Sequence, residues 1–299
     1  MDLISIRRKY RNRRNIIIVL FLIVMIALSI VIIQNVQQNS LNEKIYLSYN
    51  KQCEQAKAKD EEILEQKRLE EEKRLREKLP NLTEQGKANL ANIYKADTKK
   101  VYLTFDDGPS KTVTIPILDI LKQENIKATF FVLGSRAELY PDILKREYDE
   151  GHYIASHGYS HVYSQIYSSP QAVLDEYNKS VIAIRNAIGQ PEYNPHLFRF
   201  PGGYPGGKYF SIKQEAGQIL EQNGVLHIDW NALTSDAAGA KTTEEFLSEL
   251  NRTVGTKQNV VVLMHDAGTK KATAEALPQI IAFFRERGYE FDNFYSIIK

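Results

Sequence analysis

The chain has 299 residues, 43% of them apolar and 25% charged, with a formal charge of +2. Such a length allows a large buried core, and the near-neutral balance, with no basic stripe interleaved with aromatics, excludes a dedicated nucleic-acid binder. The single cysteine, Cys53, excludes an internal disulfide and a thiolate metal cluster.

Read from the start, residues 1–15 form a basic tail, with Arg7, Arg8, Lys9, Arg11, Arg13 and Arg14 against one acid, Asp2. Residues 16–33 follow as an apolar run broken only by Ser29. As a helix, such a run spans roughly 27 Å, close to the ~30 Å hydrocarbon core of a bilayer. The segment is longer than the apolar region of a cleaved signal peptide and no A-x-A-like site follows, which favours an uncleaved transmembrane anchor. The positive-inside rule then keeps the N-terminus in the cytoplasm. The rest of the chain is exported, on a single-pass protein of the cell membrane whose expected partner through residues 16–33 is the lipid bilayer.

Residues 34–96 are polar and, between Lys57 and Lys78, dominated by charge. Glu70 with Arg74 and Glu72 with Arg76 stand at i,i+4 spacing, which supports a solvated helical stalk. Its apolar positions Ile63, Leu64, Leu69, Leu75 and Leu79 keep no clean heptad, against a coiled coil. Pro80 is the expected stop.

Residues 97–299 change texture. Val101–Phe105, Ala128–Leu133, Tyr153–Ser156, Leu197–Phe200, Val225–Trp230 and Val260–Met264 read as strands. Thr114–Glu124, Tyr140–Glu150, Gln171–Ile188, Ser211–Asn223, Glu244–Thr253 and Leu277–Arg287 read as helices between them. The alternation predicts an α/β domain with a mainly parallel sheet or barrel, whose reactive residues gather at the C-terminal strand ends.

Polar residues sit at those ends. Asp106 and Asp107 follow the first strand, two carboxylates that repel unless something positive lies nearby, although Asp-Gly-Pro is also ordinary turn chemistry. His157 and His161 follow the third. Their H-x-x-x-H spacing suits two ligands of one metal, but is weak by itself, and Gly158 removes any zincin motif. Arg199 stands in an apolar strand, where an unpaired guanidinium is costly, so a buried ion pair is the plain alternative to a functional role. His265 ends the last strand. One carboxylate with two imidazoles makes a divalent-metal site with open positions for water and substrate.

Taken in order, these stretches resemble the polysaccharide deacetylase family, also called carbohydrate esterase family four or the NodB-homology domain. The residues that carry the likeness are Thr104-Phe105-Asp106-Asp107-Gly108-Pro109, His157-Gly158-Tyr159-Ser160-His161, Arg199-Phe200-Pro201-Gly202-Gly203, Leu263-Met264-His265, and the stretch from Asp229-Trp230-Asn231 to Asp236. The resemblance implies a distorted (β/α) barrel and hydrolytic N-deacetylation of a glycan. It also implies one divalent ion, zinc first and Co2+, Mn2+ or Ni2+ behind it, held by Asp107, His157 and His161. Asp106 would be the general base, His265 the general acid, and Arg199 the group that holds Asp106. An exported, tethered enzyme of this kind meets cell-wall glycan first, so N-acetylglucosamine of peptidoglycan is the leading substrate, ahead of N-acetylmuramic acid, an exopolysaccharide or chitin oligomers.

Three departures stand out. Gly158 replaces the family's Ser or Thr, so a bond that braces the loop is missing. Gly202 replaces an aromatic, removing a pocket wall. Leu233 takes the place of the fourth motif's acid and Ala237 that of its Trp, with Asp229 and Asp236 both open as substitutes. Rival readings are a glycan-binding pseudo-enzyme and a structural anchor whose stalk matters more than its domain. No nucleotide site is expected: Gly202–Lys208 fits G-x-x-x-x-G-K, but Tyr209 replaces the required Ser or Thr. Tyr204, Tyr209 and Trp230 offer sugar-stacking rings, though such aromatics more often pack.

Overall fold

The computed structural model describes residues 3–77 and 79–298, and the side chains of 3–16, 71, 72 and 74–77 lie outside the description. With them fall the expected basic flank and the pairs Glu70–Arg74 and Glu72–Arg76. The chain divides into two compact units, Met1–Leu75 and Arg76–Lys299. The first is helical, within the helix Leu3–Glu77. It contains one helical stretch, Ile17–Glu70, long and apolar enough to cross a membrane. Its large apolar side chains from Ile17 to Ile33 are all exposed.

In the second unit eight strands make one parallel sheet: β1 (Lys100–Asp106), β2 (Thr129–Val132), β3 (Tyr153–Ser156), β4 (Leu197–Phe198), β5 (Leu226–His227), β6 (Ala232–Leu233), β7 (Asn259–His265) and β8 (Glu290–Asp292). The order is β5-β4-β3-β2-β1-β7-β6, with β8 pairing β1. Since β7 pairs every residue of β1, β8 at Lys100–Tyr102 and β2 at Thr104–Asp106 share its other edge. The strands most completely buried are apolar on both faces, as a sheet covered on each side requires.

The first and last strands of that order come from a single stretch of chain, 226–233. It pairs with β4 at Leu226 and His227, then with β7 at Ala232 and Leu233. The sheet therefore curls round on itself, and the expected distorted (β/α) barrel is borne out. One face of β1 and β7, carrying Val101, Leu103, Phe105, Val260, Val262 and Met264, packs in the larger apolar cluster with the helices. The inner face carries Tyr102, Phe131, Tyr153, Ala155, Leu197 and Val261.

The helices follow the expected ranges closely: Thr114–Gln123, Pro141–Asp149, Pro170–Ile188, Phe210–Gln222 and Thr243–Val254. The last, Lys271–Glu286, begins six residues before the expected Leu277 and holds Pro278 inside it, where proline ordinarily stops a helix. Two regions differ more. Strands β4 and β5 keep only two residues each: the N–H groups of Arg199 and Ile228 make the last ladder bonds, to Ser156 O and Phe198 O, and the chain then turns away. Helix Glu84–Ala91 and the turn Ile93–Lys95, read from sequence as stalk, bring Leu90 and Ile93 onto the inner core beside Phe294, Ile297 and Ile298. Each such burial stabilises by about 1.5–3 kcal/mol.

Candidate active site

Side chains alternate along a strand, so the inner-face series Tyr102–Thr104–Asp106, Tyr153–Ala155–His157, Leu197–Arg199 and Val261–Leu263–His265 each deliver one polar residue at the strand end. Asp106 and His265 are register partners across β1 and β7.

Asp106 is almost wholly buried. Its Oδ1 accepts from Arg199 Nη1 at 2.8 Å, and its Oδ2 lies 3.9 Å from His157 Nε2. Burial raises the Asp106 carboxyl above its ordinary value, against the pull of Arg199 and then His265.

Arg199 has no exposed surface and fills a structural gap. Past the Ile228 N–H, which donates to Phe198 O at 3.1 Å, the chain leaves β4 and meets β7 only at the Asn231 N–H, so the carbonyls of Ile228 and Asp229 have no ladder partners among the described residues. Arg199 Nε donates to Ile228 O at 3.2 Å and Nη2 to Asp229 O at 3.1 Å. Its Nη1 also donates to Thr104 Oγ1 at 2.7 Å, and the guanidinium lies 3.8 Å from the centre of the Phe131 ring. The planar fork thus serves Asp106 and the barrel seam together.

Asp107 turns away from the strand at φ 76°, in the left-handed region that favours Gly, Asn and Asp. The next residue must be glycine: a Cβ on Gly108 would stand 1.9 Å from Asp266 Oδ2. Asp107 Oδ1 lies 3.6 Å from His157 Nε2 and 3.4 Å from His161 Nε2. That oxygen is buried and makes no hydrogen bond among the described residues. His157 donates from Nδ1 to Arg199 O at 2.8 Å, which leaves Nε2 as its lone-pair nitrogen. Burial pushes this imidazole down to about 3 against the attraction of Asp107, so it is neutral.

These donors fit a divalent ion. Three ligand atoms lie within 4.8 Å of one another. Metal bonds of about 2.0–2.2 Å place neighbouring ligands roughly 3–3.5 Å apart, close to the spacings here. A buried carboxylate oxygen without a donor is what a cation would satisfy.

His265 donates from Nδ1 to Asp236 Oδ1 at 2.9 Å. Burial alone would lower it, but the bond and charge of Asp236, with Asp106 and Asp107, push it up to about 9. Asp236 also accepts at Oδ2 from the His265 N–H at 2.8 Å and Thr273 Oγ1 at 2.9 Å.

All six residues expected from the sequence are therefore brought together. Of the two open acids, Asp236 serves the histidine, while Asp229 meets Arg199 only through its backbone and spends its carboxylate on the Tyr204 N–H. Leu233 is a ladder residue paired with Leu263, and Ala237 is exposed. The space that a side chain on Gly202 would enter holds Tyr163, whose hydroxyl stands 2.6 Å from the Cβ position. Tyr204 and Trp230 line, with Tyr94, a separate cavity of about 840 Å³, whereas Tyr209 packs against Tyr167. Composition and spacing had not singled out Thr104, Thr273 or Glu176, which act through partners distant in sequence.

Fold and site together define a hydrolase of the (β/α)-barrel carbohydrate-esterase class. The family profile named polysaccharide deacetylase matches residues 94–228. A peptidoglycan-N-acetylglucosamine deacetylase of Bacillus cereus is 33% identical over 218 residues, 71% of this chain and 76% of that protein. One of Listeria monocytogenes is 35% identical over 207 residues, 68% of this chain but only 40% of the longer relative. A carbohydrate esterase family four structure from Streptococcus mutans superposes with a TM-score of 0.63 at 31% identity, covering 71% of this chain and 95% of that one. The chain belongs to the polysaccharide deacetylase family.

Proposed function

We propose that the chain is a metal-dependent deacetylase of cell-wall glycan, acting on N-acetylglucosamine of peptidoglycan. One observation carries this reading: the donor-free buried oxygen of Asp107 between two imidazoles, flanked by the pairs Asp106–Arg199 and Asp236–His265. The names of the relatives support the substrate.

Asp107, His157 and His161 would hold the ion, zinc in the first instance. A divalent ion there polarises an acetyl carbonyl and makes a water more acidic. Arg199 holds Asp106 with one oxygen committed, and Asp106 takes the proton of the water as its oxygen bonds to the acetyl carbon. His265, protonated at neutral pH, gives its proton to the sugar nitrogen as the C–N bond breaks. Acetic acid and a free amine result; the proton taken by Asp106 returns to His265 and restores both groups, and the acid ionises, its proton passing to the amine or to solvent. The glycan approaches along the cavity of about 490 Å³ lined by Asp107, His161, Ser135, Arg136 and Leu139.

Residues 16–33 are the membrane anchor in this proposal, with the tail 1–15 in the cytoplasm and residues 34–96 leading to an extracellular catalytic domain at 97–299. The apolar stretch and its basic flank support that arrangement.

The test is acetate release from purified peptidoglycan by the full chain in detergent, with Zn2+ and with chelator, beside Asp106→Asn. Release that needs metal and falls about 10³-fold in Asp106→Asn supports the proposal. Unchanged release in the variant or under chelation refutes the mechanism. Release from chitin oligomers but not peptidoglycan refutes the substrate.

A further inference from the structure

The two histidines of the metal cluster are joined by three residues, Gly158, Tyr159 and Ser160, and the loop is tightly turned: φ is 85° at Gly158 and 56° at His161. No ladder holds such a backbone, so its polar groups need other partners. Its carbonyls are met by backbone, with Gly134 N donating to Gly158 O at 2.9 Å and Ser135 N to Tyr159 O at 3.1 Å. The Gly158 N–H donates to Ser156 Oγ at 3.2 Å, and the N–H groups of Tyr159 and Ser160 are met by one side chain. Glu176, from the helix Pro170–Ile188, accepts at Oε2 from Tyr159 N at 2.6 Å and Ser160 N at 2.7 Å, and at Oε1 from Ser160 Oγ at 2.8 Å. Ser160 Oγ in turn accepts from Val162 N at 3.2 Å. Among the described residues no other side chain bonds the N–H of 159 or 160.

We infer that Glu176 is the positioning residue of the metal-binding loop, fixing the backbone from which His161 is presented to Asp107 and His157. Charge-assisted bonds of this length are about twice as strong as neutral ones, and three of them converge on one carboxylate. Gly158 belongs to the same device. A Cβ there would stand 2.9 Å from Ile166 Cδ1 and 3.4 Å from Glu176 Oε2, so a side chain at 158 would crowd the carboxylate as well as strain the backbone. His161 gains most, being partly exposed and held by no hydrogen bond of its own ring among the described residues. A residue that orients a ligand typically carries 10–100-fold in metal affinity.

The inference rests on reading Asp107, His157 and His161 as metal ligands, and the experiment separates the two. The full chain in detergent, stripped of metal, is titrated with Zn2+ against a chromophoric chelator, alongside Glu176→Ala and Glu176→Gln. Absence of stoichiometric binding to the unaltered chain defeats the metal-site reading itself. With binding present, Glu176→Ala should weaken it about 10–100-fold, and more than Glu176→Gln does at a comparable melting temperature of the metal-free protein. Glu176→Gln should recover most of the loss, since its Oε1 accepts both N–H groups and its amide donates to Ser160 Oγ. Affinity within twofold of the unaltered chain in Glu176→Ala overturns the inference. So does an equal loss in Ala and Gln accompanied by a lower metal-free melting temperature, which would make Glu176 a support of the fold alone.

Discussion

The two sides of the site each join a carboxylate to a cation, and the results are opposite. On one side Asp106 meets Arg199; burial dominates and the carboxyl titrates above its ordinary value. On the other, Asp236 is also buried, yet His265 and Thr273 hold it below the ordinary value, while His265 rises to about 9. The difference lies in the number of donors. Asp236 receives three, two on Oδ2 and one on Oδ1. Asp106 receives one on Oδ1, and no hydrogen bond reaches its Oδ2 among the described residues. An oxygen left without a donor keeps its basicity, whereas a carboxylate fully occupied becomes a fixed negative charge that keeps a neighbouring proton in place. Burial leaves a carboxyl raised on one side and an imidazole raised on the other, the pair that the proposed mechanism uses as base and acid, because the hydrogen bonds are distributed unequally.

The sharpest way to break this contrast is Arg199→Met. It leaves the Asp106 carboxylate buried without its cation and the carbonyls of Ile228 and Asp229 without donors. Loss of one partner of a buried pair costs about 3–5 kcal/mol, readable in urea unfolding. Asp106 should titrate still higher, so the acid limb of kcat/KM moves to higher pH. A cost below about 1 kcal/mol would show that the seam does not depend on the guanidinium.

Next in size is Asp236→Asn. In the unaltered protein activity should fall at low pH as Asp106 takes up a proton, and at high pH as His265 loses its own near 9. Without Asp236, burial governs His265 and lowers it, so the alkaline limb moves down and activity at pH 8 drops about 10–100-fold. Stability should follow the same group. Its folded value is raised, so its contribution is full below the unfolded value of about 6.5 and is lost as pH rises through about 9. The variant should therefore lose more stability at pH 6 than at pH 10. An alkaline limb that stays in place would show that another group supplies the proton.

What could be read in the sequence follows the physics of each part. Strands β1, β3 and β7 are buried on both faces, and their apolar runs end in Asp, His and His, so the polar residue at each C-terminal end was visible. Strand β6 is two residues long and carries no alternation to detect. The helix Glu84–Ala91 was hidden because only Gly86 and Leu90 along it are buried, leaving a surface as polar as the stalk before it. Side chains that bond backbone N–H groups leave no periodic trace. Glu176 looks like one more acid on an amphipathic helix, and Asp236 was one of two equivalent candidates. Only three dimensions show which N–H groups each receives.

The smallest expected effect, and the one that best separates the arginine's two tasks, is Thr104→Val. Thr104 Oγ1 accepts from Arg199 Nη1 at 2.7 Å and donates to Val262 O at 2.6 Å. Valine keeps the shape and removes both bonds, leaving two buried groups a partner short, at about 1–3 kcal/mol of stability. Arg199 retains Asp106, Ile228 and Asp229, so the base stays in place and kcat should fall by no more than about fivefold, roughly 1 kcal/mol. A drop in kcat as large as that of Asp106→Asn, measured on peptidoglycan at pH 7, would mean that the guanidinium swings away once this contact is gone. In that case the β1 hydroxyl, and not the seam carbonyls, sets where Arg199 holds the base.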